Sequence, residues 1–417
     1  MNLKEEMRAM AERAQAASRV TAVLGAEEKN RILISMAEAL NARRERIQEA
    51  NQRDLAAGRA AGLSDAMMDR LLLTDTRLNG VIRALESLTG LKDPVGQTLS
   101  KWMRPNGLSI RKVRVPLGVV AIIYEARPNV TVDAAALCFK AGNAVILRGG
   151  REALQSNQAL AAAMREGGAA AGMPADAIQL ITVTDHAAVN ELVKLEGLVD
   201  LVIPRGGEKL IRAVMEEAEV PVIKHYKGIC HIYVGAKADQ EMALAIIENA
   251  KCSRPGVCNA AEKVLVDRAV AAEFLPKLAE RMKAKRVELR GDAEAVGLAG
   301  GLKPATPEDW DEEYLDLILT VGVVGGVEEA IAHVNRHGSH HSDAIITRDK
   351  AAARRFQAGV DSACVYVNAS TRFTDGGEFG MGADIGISTD KLHARGPMGL
   401  EELTTYKYFI DGNGQIR

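Results

Sequence analysis

No two cysteines in this chain are spaced as a metal or redox pair. There are five, an odd number, and none forms a C-x-x-C pair. That argues against a disulfide-stapled secreted scaffold, and a reducing compartment is the simplest reading. Strong charge of one sign is also lacking. The 53 Lys and Arg against 55 Asp and Glu leave a formal net charge of -2, so no nucleic acid and no membrane surface is expected as the main partner. Basic clusters such as Lys283 to Arg286 are short and read as solvated faces. Long apolar runs are missing: those near Val115 to Tyr124 and Leu315 to Val324 are too short to span a bilayer. The first residues, MNLKEEMRAM, lack the apolar core of a signal peptide. A cytoplasmic location follows as the expectation. There is no internal repeat and no low-complexity segment.

What is present is an ordinary globular balance, 47% apolar and 26% charged over 417 residues. That length predicts two or three domains. Residues 1 to about 92 read as helices, and Arg31 to Ala56 carries Ile32, Leu33, Met36, Leu40 and Ile47 at helical spacing. Leu108 to Arg114 alternates apolar and basic, as a half-exposed strand does. Five short apolar runs follow: Val119 to Ile123, Ala144 to Leu147, Ile178 to Val183, Leu198 to Ile203 and Val220 to Ile223. Helix patterns lie between most of them. Unalternated strands separated by helices predict a parallel sheet covered on both faces. A second α/β alternation begins after Gly228, with strands at Cys230 to Val234, Lys263 to Val266, Leu317 to Val324, Ser342 to Thr347 and Cys364 to Val367. The outlying strand patterns near residues 110 and 406 are expected to pair with each other or across a subunit boundary.

Ligands in such sheets sit beyond the C-terminal strand ends. The loops there hold Glu125, Arg127 and Asn129, then Arg148, then Arg205-Gly206-Gly207. Glycines between a strand and a helix let backbone N–H groups approach a phosphate; a plain turn is the alternative. No strict G-x-G-x-x-G is present. An arginine at position 148 suits a 2′-phosphate, or is simply solvated. Asn129 suits an oxyanion donor or a helix N-cap. In KCSRPGVCNAA, Cys258 rides a turn after Pro255-Gly256-Val257, with Arg254 near enough to favour a thiolate. It is a candidate nucleophile or a buried structural thiol. The HGSHHSD segment, with His337, His340, His341 and Asp343, matches no strong zinc spacing. No metal is expected, and the segment reads as a polar loop or a substrate contact.

Taken together, the segments PLGVVAIIYEARPNVTVDAAALCFKAGNAVILRGG, IPRGGEKL, HYKGICHIYV, KCSRPGVCNAAEKVLV, HGSHHSDAIIT and VNASTRFTDGGEFGMGADIGISTDKLHARGPMGLEELTTYKY resemble the gamma-glutamyl phosphate reductase family of the aldehyde dehydrogenase superfamily. The resemblance runs from about residue 10 to the end of the chain. It implies an α/β fold, aldehyde dehydrogenase-like, with a Rossmann-type cofactor domain (1–99 and 115–228), an α/β catalytic domain (229–370) and a small β oligomerisation flap (100–114 and 385–417). It implies NADPH-dependent reduction of L-glutamyl 5-phosphate to L-glutamate 5-semialdehyde, the second step of proline synthesis, in a homo-oligomer fed by glutamate 5-kinase.

The same resemblance assigns roles. Cys258 falls on the superfamily's nucleophile, and Arg205-Gly206-Gly207 on its pyrophosphate loop. Glu313 falls on the glutamate that binds the nicotinamide ribose, and Arg148 where the superfamily has a lysine near the adenosine ribose. Arg127, Arg254 and His341 are the candidate substrate contacts. Two departures stand out. His225-Tyr226-Lys227-Gly228 replaces the segment that carries the hydrolytic base glutamate of the oxidising members, which suits a reductase. The oxyanion asparagine is matched by Asn129, although Glu125 falls opposite it without gaps. Rival readings are a superfamily member using an acyl-CoA or a free aldehyde, and a scaffold that has lost the reaction.

Overall fold

A computed structural model describes residues 2–417. Two compact units divide the chain. The first runs to Lys224 and takes in Gly380–Gly386 and Met398–Arg417; the second is His225–Phe379 with Ile387–Pro397.

The first unit opens with helices α1 (Leu3–Thr21), α2 (Ala26–Ala42), α3 (Arg44–Ala60), α4 (Asp65–Leu71) and α5 (Asp75–Ser87). Their starts are written in the sequence. The side chain of Asn2 accepts from the Glu5 N–H at 2.9 Å, and Thr74 accepts from Arg77 at 3.2 Å, satisfying donors that a helix leaves unpaired. The single helix expected over Arg31 to Ala56 is in fact two. Arg43 leaves the helical region at φ -99° and ψ 13°. No glycine or proline marks that break, so the sequence held no signal for it.

Strands β1 (Thr98–Met103) and β2 (Ser109–Pro116) form an antiparallel hairpin. Next come β3 (Val119–Tyr124), α6 (Asn129–Lys140), β4 (Ala144–Arg148), α7 (Leu154–Ala170), β5 (Ile178–Leu180), α8 (Ala187–Leu192), β6 (Leu201–Arg205) and α9 (Glu208–Glu217). The parallel sheet has the order β5-β4-β3-β6. All six residues of β3 are buried, which is why the run does not alternate. Helices α2 and α7 approach closely at Gly167, where a Cβ would lie 2.4 Å from the Ser35 carbonyl oxygen. The fifth run, Val220 to Ile223, is not a strand. It makes one isolated bridge, Val202 to Val222. Pro221 accepts from the Val202 N–H at 2.9 Å but has no N–H to continue a ladder.

The second unit alternates β7 (Cys230–Val234), α10 (Gln240–Cys252), β8 (Ala261–Asp267), α11 (Arg268–Ala284), β9 (Glu288–Gly291), α12 (Ala293–Leu298), β10 (Lys303–Pro304), β11 (Ile318–Val324), α13 (Val327–His337), β12 (Ser342–Ile346), α14 (Lys350–Gly359) and β13 (Cys364–Val367). The parallel sheet runs β10-β9-β11-β8-β7-β12-β13. Ile232, Val264, Val266, Val321 and Ala344 are fully buried, and each large aliphatic among them is worth about 1.5–3 kcal/mol on burial. Beside this core Lys251 and Glu262, both wholly buried, pair at 2.9 Å. A short ribbon, β14 (Ile387–Ser388) with β15 (Gly396–Pro397), belongs to the same unit.

The last strand, β16 (Thr404–Asp411), returns to the first unit and pairs antiparallel with β2, Tyr406 opposite Arg114 and Ile410 opposite Ile110. The two outlying patterns therefore pair within one chain. Among the described residues no helix is long and apolar enough to cross a membrane.

Candidate active site

In the first unit the expected residues gather at the C-terminal ends of β3, β4 and β6. Glu125 reaches from the loop after β3 to the glycine turn before α9, where its carboxylate accepts from the Gly207 N–H at 2.9 Å. A Cβ on Gly206 would lie 2.4 Å from the same carboxylate, whereas one on Gly207 would meet nothing within 4 Å. This turn already receives an anionic oxygen. Arg205, half-buried, lies against Gly386: a Cβ there would sit 2.2 Å from its guanidinium, and Gly386 holds φ at 141°. The glycine-rich stretch GGEFGMGADIG, which ends at Gly386, thus supplies the gap that seats Arg205.

Arg148 is not a solvated arginine. It is 6% exposed and donates to the carbonyls of Gly149 and Thr184, both at 3.2 Å. Its Nε, also buried, has no hydrogen-bond partner among the described residues. Burial pushes its pKa down while Glu152 and Glu125 pull it back. Arg127 is exposed on the loop after β3.

Asn129 is the first residue of α6, and Pro128 stands in the N-cap position, so the N-cap alternative does not hold. Its amide instead donates to Asp133 one turn on, at 2.9 Å. Burial, the largest influence, raises the Asp133 carboxyl to about 6, against the hydrogen bond from Asn129. One amide hydrogen of Asn129 is therefore committed to Asp133 and the second is not.

In the second unit Cys258 sits half-buried in the turn between α10 and β8. Its carbonyl accepts from the Cys230 thiol at 3.2 Å. The backbone of Gly228 lies so close that a Cβ would fall 1.9 Å from the Cys258 carbonyl oxygen. Gly228 in turn donates its N–H to Glu313 at 2.8 Å. One expected residue, Glu313, thus braces the segment that backs another, Cys258.

His225 and His341 also belong to this cluster. One ligand atom from each, and the Cys258 sulfur, all lie within 4.8 Å of one another. The two rings meet edge to face with centroids 5.6 Å apart. The segment without the hydrolytic glutamate therefore still offers the thiol a basic neighbour. Arg254 is exposed four residues before the cysteine. A second cation, Arg372, is tied to Ser253 at 3.2 Å and to the Asn259 side chain. Its pKa is lowered by burial first and by Arg254, and raised by the Cys258 side chain.

The profile of the aldehyde dehydrogenase family matches residues 2–297. Gamma-glutamyl phosphate reductase of Moorella thermoacetica is 55% identical over 417 residues, all of both chains. The chain belongs to the gamma-glutamyl phosphate reductases of the aldehyde dehydrogenase family. The crystal structure of the Thermotoga maritima gamma-glutamyl phosphate reductase superposes with a TM-score of 0.97 at 46% identity, covering 99% of this chain and 100% of that one. At 17% identity, GapN of Methanocaldococcus jannaschii, complexed with NADP, shares the fold with a TM-score of 0.69 over 98% and 95% of the two chains. For a gamma-glutamyl phosphate reductase the parallel sheets and the cysteine turn are as the sequence led one to expect. Arg372 and Gly228 carry no sequence signal as neighbours of Cys258: they lie in segments remote from it in the chain, and no spacing links them to it.

Proposed function

We propose that this chain reduces L-glutamyl 5-phosphate to L-glutamate 5-semialdehyde and releases phosphate, with NADPH as reductant and Cys258 as nucleophile. Family membership carries the reaction, a step of proline biosynthesis, and its thioester course. The observation that supports Cys258 is its half-buried turn position with two imidazoles within 4.8 Å of its sulfur.

The first unit fits a dinucleotide. The Gly207 turn is open to an added group and already binds a carboxylate, and Arg148 keeps a buried Nε without a partner. In this reading Arg205, Gly206 and Gly207 hold the pyrophosphate, Arg148 the phosphate that marks NADP, and Glu313 the nicotinamide ribose. When bound, the reduced nicotinamide supplies the hydride.

An imidazole beside Cys258 takes the thiol proton. The thiolate attacks the acyl carbon and forms the C–S bond. In this reading the Cys258 N–H donates to the oxyanion and Asn129 is the second donor; such a donor is worth about 3 kcal/mol. The C–O bond to phosphate then breaks. Phosphate is a weakly basic leaving group, so no strong general acid is required. The thioester left on Cys258 is reduced to a thiohemiacetal, whose C–S bond breaks to free the aldehyde and the thiolate. Arg127 and Arg254 bind the phosphate or the substrate carboxylate, and His341 contacts the substrate.

The cofactor segment is read as 1–99 with 115–228, the catalytic segment as 229–370, and the flap as 100–114 with 385–417, of which Ile387–Pro397 lies in the second unit. The flap, whose Trp102, Tyr406 and Tyr408 are exposed, joins copies of the chain in a cytoplasmic homo-oligomer supplied by glutamate 5-kinase. The test is Cys258→Ser. It should bind NADPH as before, by fluorescence titration, and lose turnover by several orders of magnitude, because a hydroxyl is a far weaker nucleophile at neutral pH. A fully active Cys258→Ser enzyme would sink the mechanism.

A further inference from the structure

We propose that Cys258, His225 and His341 also form a binding site for a thiophilic divalent metal, zinc foremost, which captures the nucleophile reversibly. The inference rests on these three side chains and does not depend on the acyl-phosphate reading. Two imidazoles and a thiol, with no carboxylate among them, are the borderline-soft donor set that zinc prefers and that magnesium and calcium refuse.

Each ring is anchored through its Nδ1. The Nδ1 of His225 lies 2.8 Å from the Ile387 carbonyl oxygen. A carbonyl only accepts, so Nδ1 carries the proton and Nε2 keeps its lone pair. The Nδ1 of His341 lies 2.9 Å from the Ser342 hydroxyl, which is itself 2.6 Å from the Thr374 hydroxyl. Metal-binding histidines are commonly oriented in this way, the remote nitrogen tied to a carbonyl or hydroxyl. Tetrahedral zinc, with bonds near 2.0 Å to nitrogen and 2.3 Å to sulfur, wants its ligand atoms roughly 3.5 Å apart. Ligand atoms now within 4.8 Å of one another need to close by up to about 1.3 Å. His225 and Cys258 are half-buried, so the fourth position stays open to water.

Binding replaces the thiol proton with a sulfur–zinc bond and releases that proton to solvent. No electron is transferred. The sulfur lone pair that would attack a carbonyl is then committed to the metal, and a chelator restores it.

The experiment reads the metal, not turnover. Chelator-treated protein is titrated with zinc chloride in a calorimeter, and separately with cobalt(II) chloride in a spectrophotometer, without substrate or cofactor. One metal per chain is expected, with a thiolate-to-cobalt absorption band in the near ultraviolet. Cys258→Ser should lack the band, and His225→Asn should weaken zinc binding at least about tenfold. Because His341 is buried and its replacement risks the fold, the parallel measurement uses unaltered protein: bound zinc should slow iodoacetamide alkylation of Cys258. Zinc bound equally by the parent, Cys258→Ser and His225→Asn proteins would be surface binding only and would overturn the proposal. So would a missing cobalt band, or alkylation unaffected by zinc. A protein inactive with phosphate that still shows the band would leave this site standing while the reductase reading fell.

Discussion

Replacing Gly228 by alanine should displace Cys258, the proposed nucleophile, without touching it chemically. The added Cβ would stand 1.9 Å from the Cys258 carbonyl oxygen and 2.5 Å from its carbonyl carbon and Cα. These are backbone atoms, so no side-chain rotation relieves the overlap. Reaching ordinary contact at 3.4 Å requires about 1.5 Å of relative movement. Misplacing a reacting group by about 1 Å costs on the order of a hundredfold in rate, so kcat should fall about a hundredfold or more. Two further consequences separate this from general damage. The overlap should also cost about 1–3 kcal/mol of stability, a modest fall in melting temperature, with the assay run well below it. Cofactor affinity should fall far less than kcat, since the glycine turn and Arg148 belong to the first unit and only Glu313, which accepts from the Gly228 N–H, is disturbed. The assay is steady-state reduction with titrated substrate, beside thermal melting and NADPH titration. A Gly228→Ala enzyme with kcat within threefold of the parent would refute the claim that this contact fixes Cys258.

Three other outcomes are expected. Arg148→Ala should raise KM for NADPH at least about tenfold while changing NADH little, since an arginine–phosphate pair is a strong charge-assisted bond; equal losses for both cofactors would assign Arg148 a structural role. Lys251→Met removes the ion-pair partner of buried Glu262, leaving only Lys263 and the Leu315 N–H to offset its charge, which should cost about 3 kcal/mol in urea unfolding at pH 8; because burial already raises the Glu262 pKa, the deficit should shrink at pH 5, where the carboxyl protonates. The imidazole of His333 is pushed down from 6.5 to about 3, by burial first and then by His231 and His337. Its folded pKa lies below the unfolded one, so its contribution is complete above pH 6.5 and is lost as pH falls from there towards 3, with a slope of at most about 1.4 kcal/mol per pH unit; His333→Asn should flatten that slope, and an unchanged slope would refute the assignment.

The parallel sheets were legible because strands buried on both faces read as unbroken apolar runs: β3, β4, β7 and β8 carry that signal. Strand β9 carries none. Its Glu288 and Arg290 pair with each other at 2.9 Å and only Leu289 and Gly291 are buried, so the segment reads as charged loop. Val220 to Ile223 carries the signal without the strand, because Pro221 removes a donor that a ladder requires. In the candidate site, chain-local features could be read in advance: a cysteine after a Pro-Gly turn, and glycines between a strand and a helix. The gathering of His225, Cys258 and His341 could not, for it depends on three loops closing over more than a hundred residues. Nor could the partner of Asn129 be told from its spacing, since an asparagine before a helix serves a cap as readily as it bonds Asp133.

The most direct test of the central claim is the reverse reaction. Purified protein is mixed with glutamate semialdehyde and NADP, with and without inorganic phosphate, and the reduced cofactor is followed by absorbance. The account predicts a rise only when phosphate is present, because phosphate must resolve the thioester on Cys258. A rise of equal size without phosphate would mean that water resolves it, with His225 serving as the hydrolytic base, and would contradict the account.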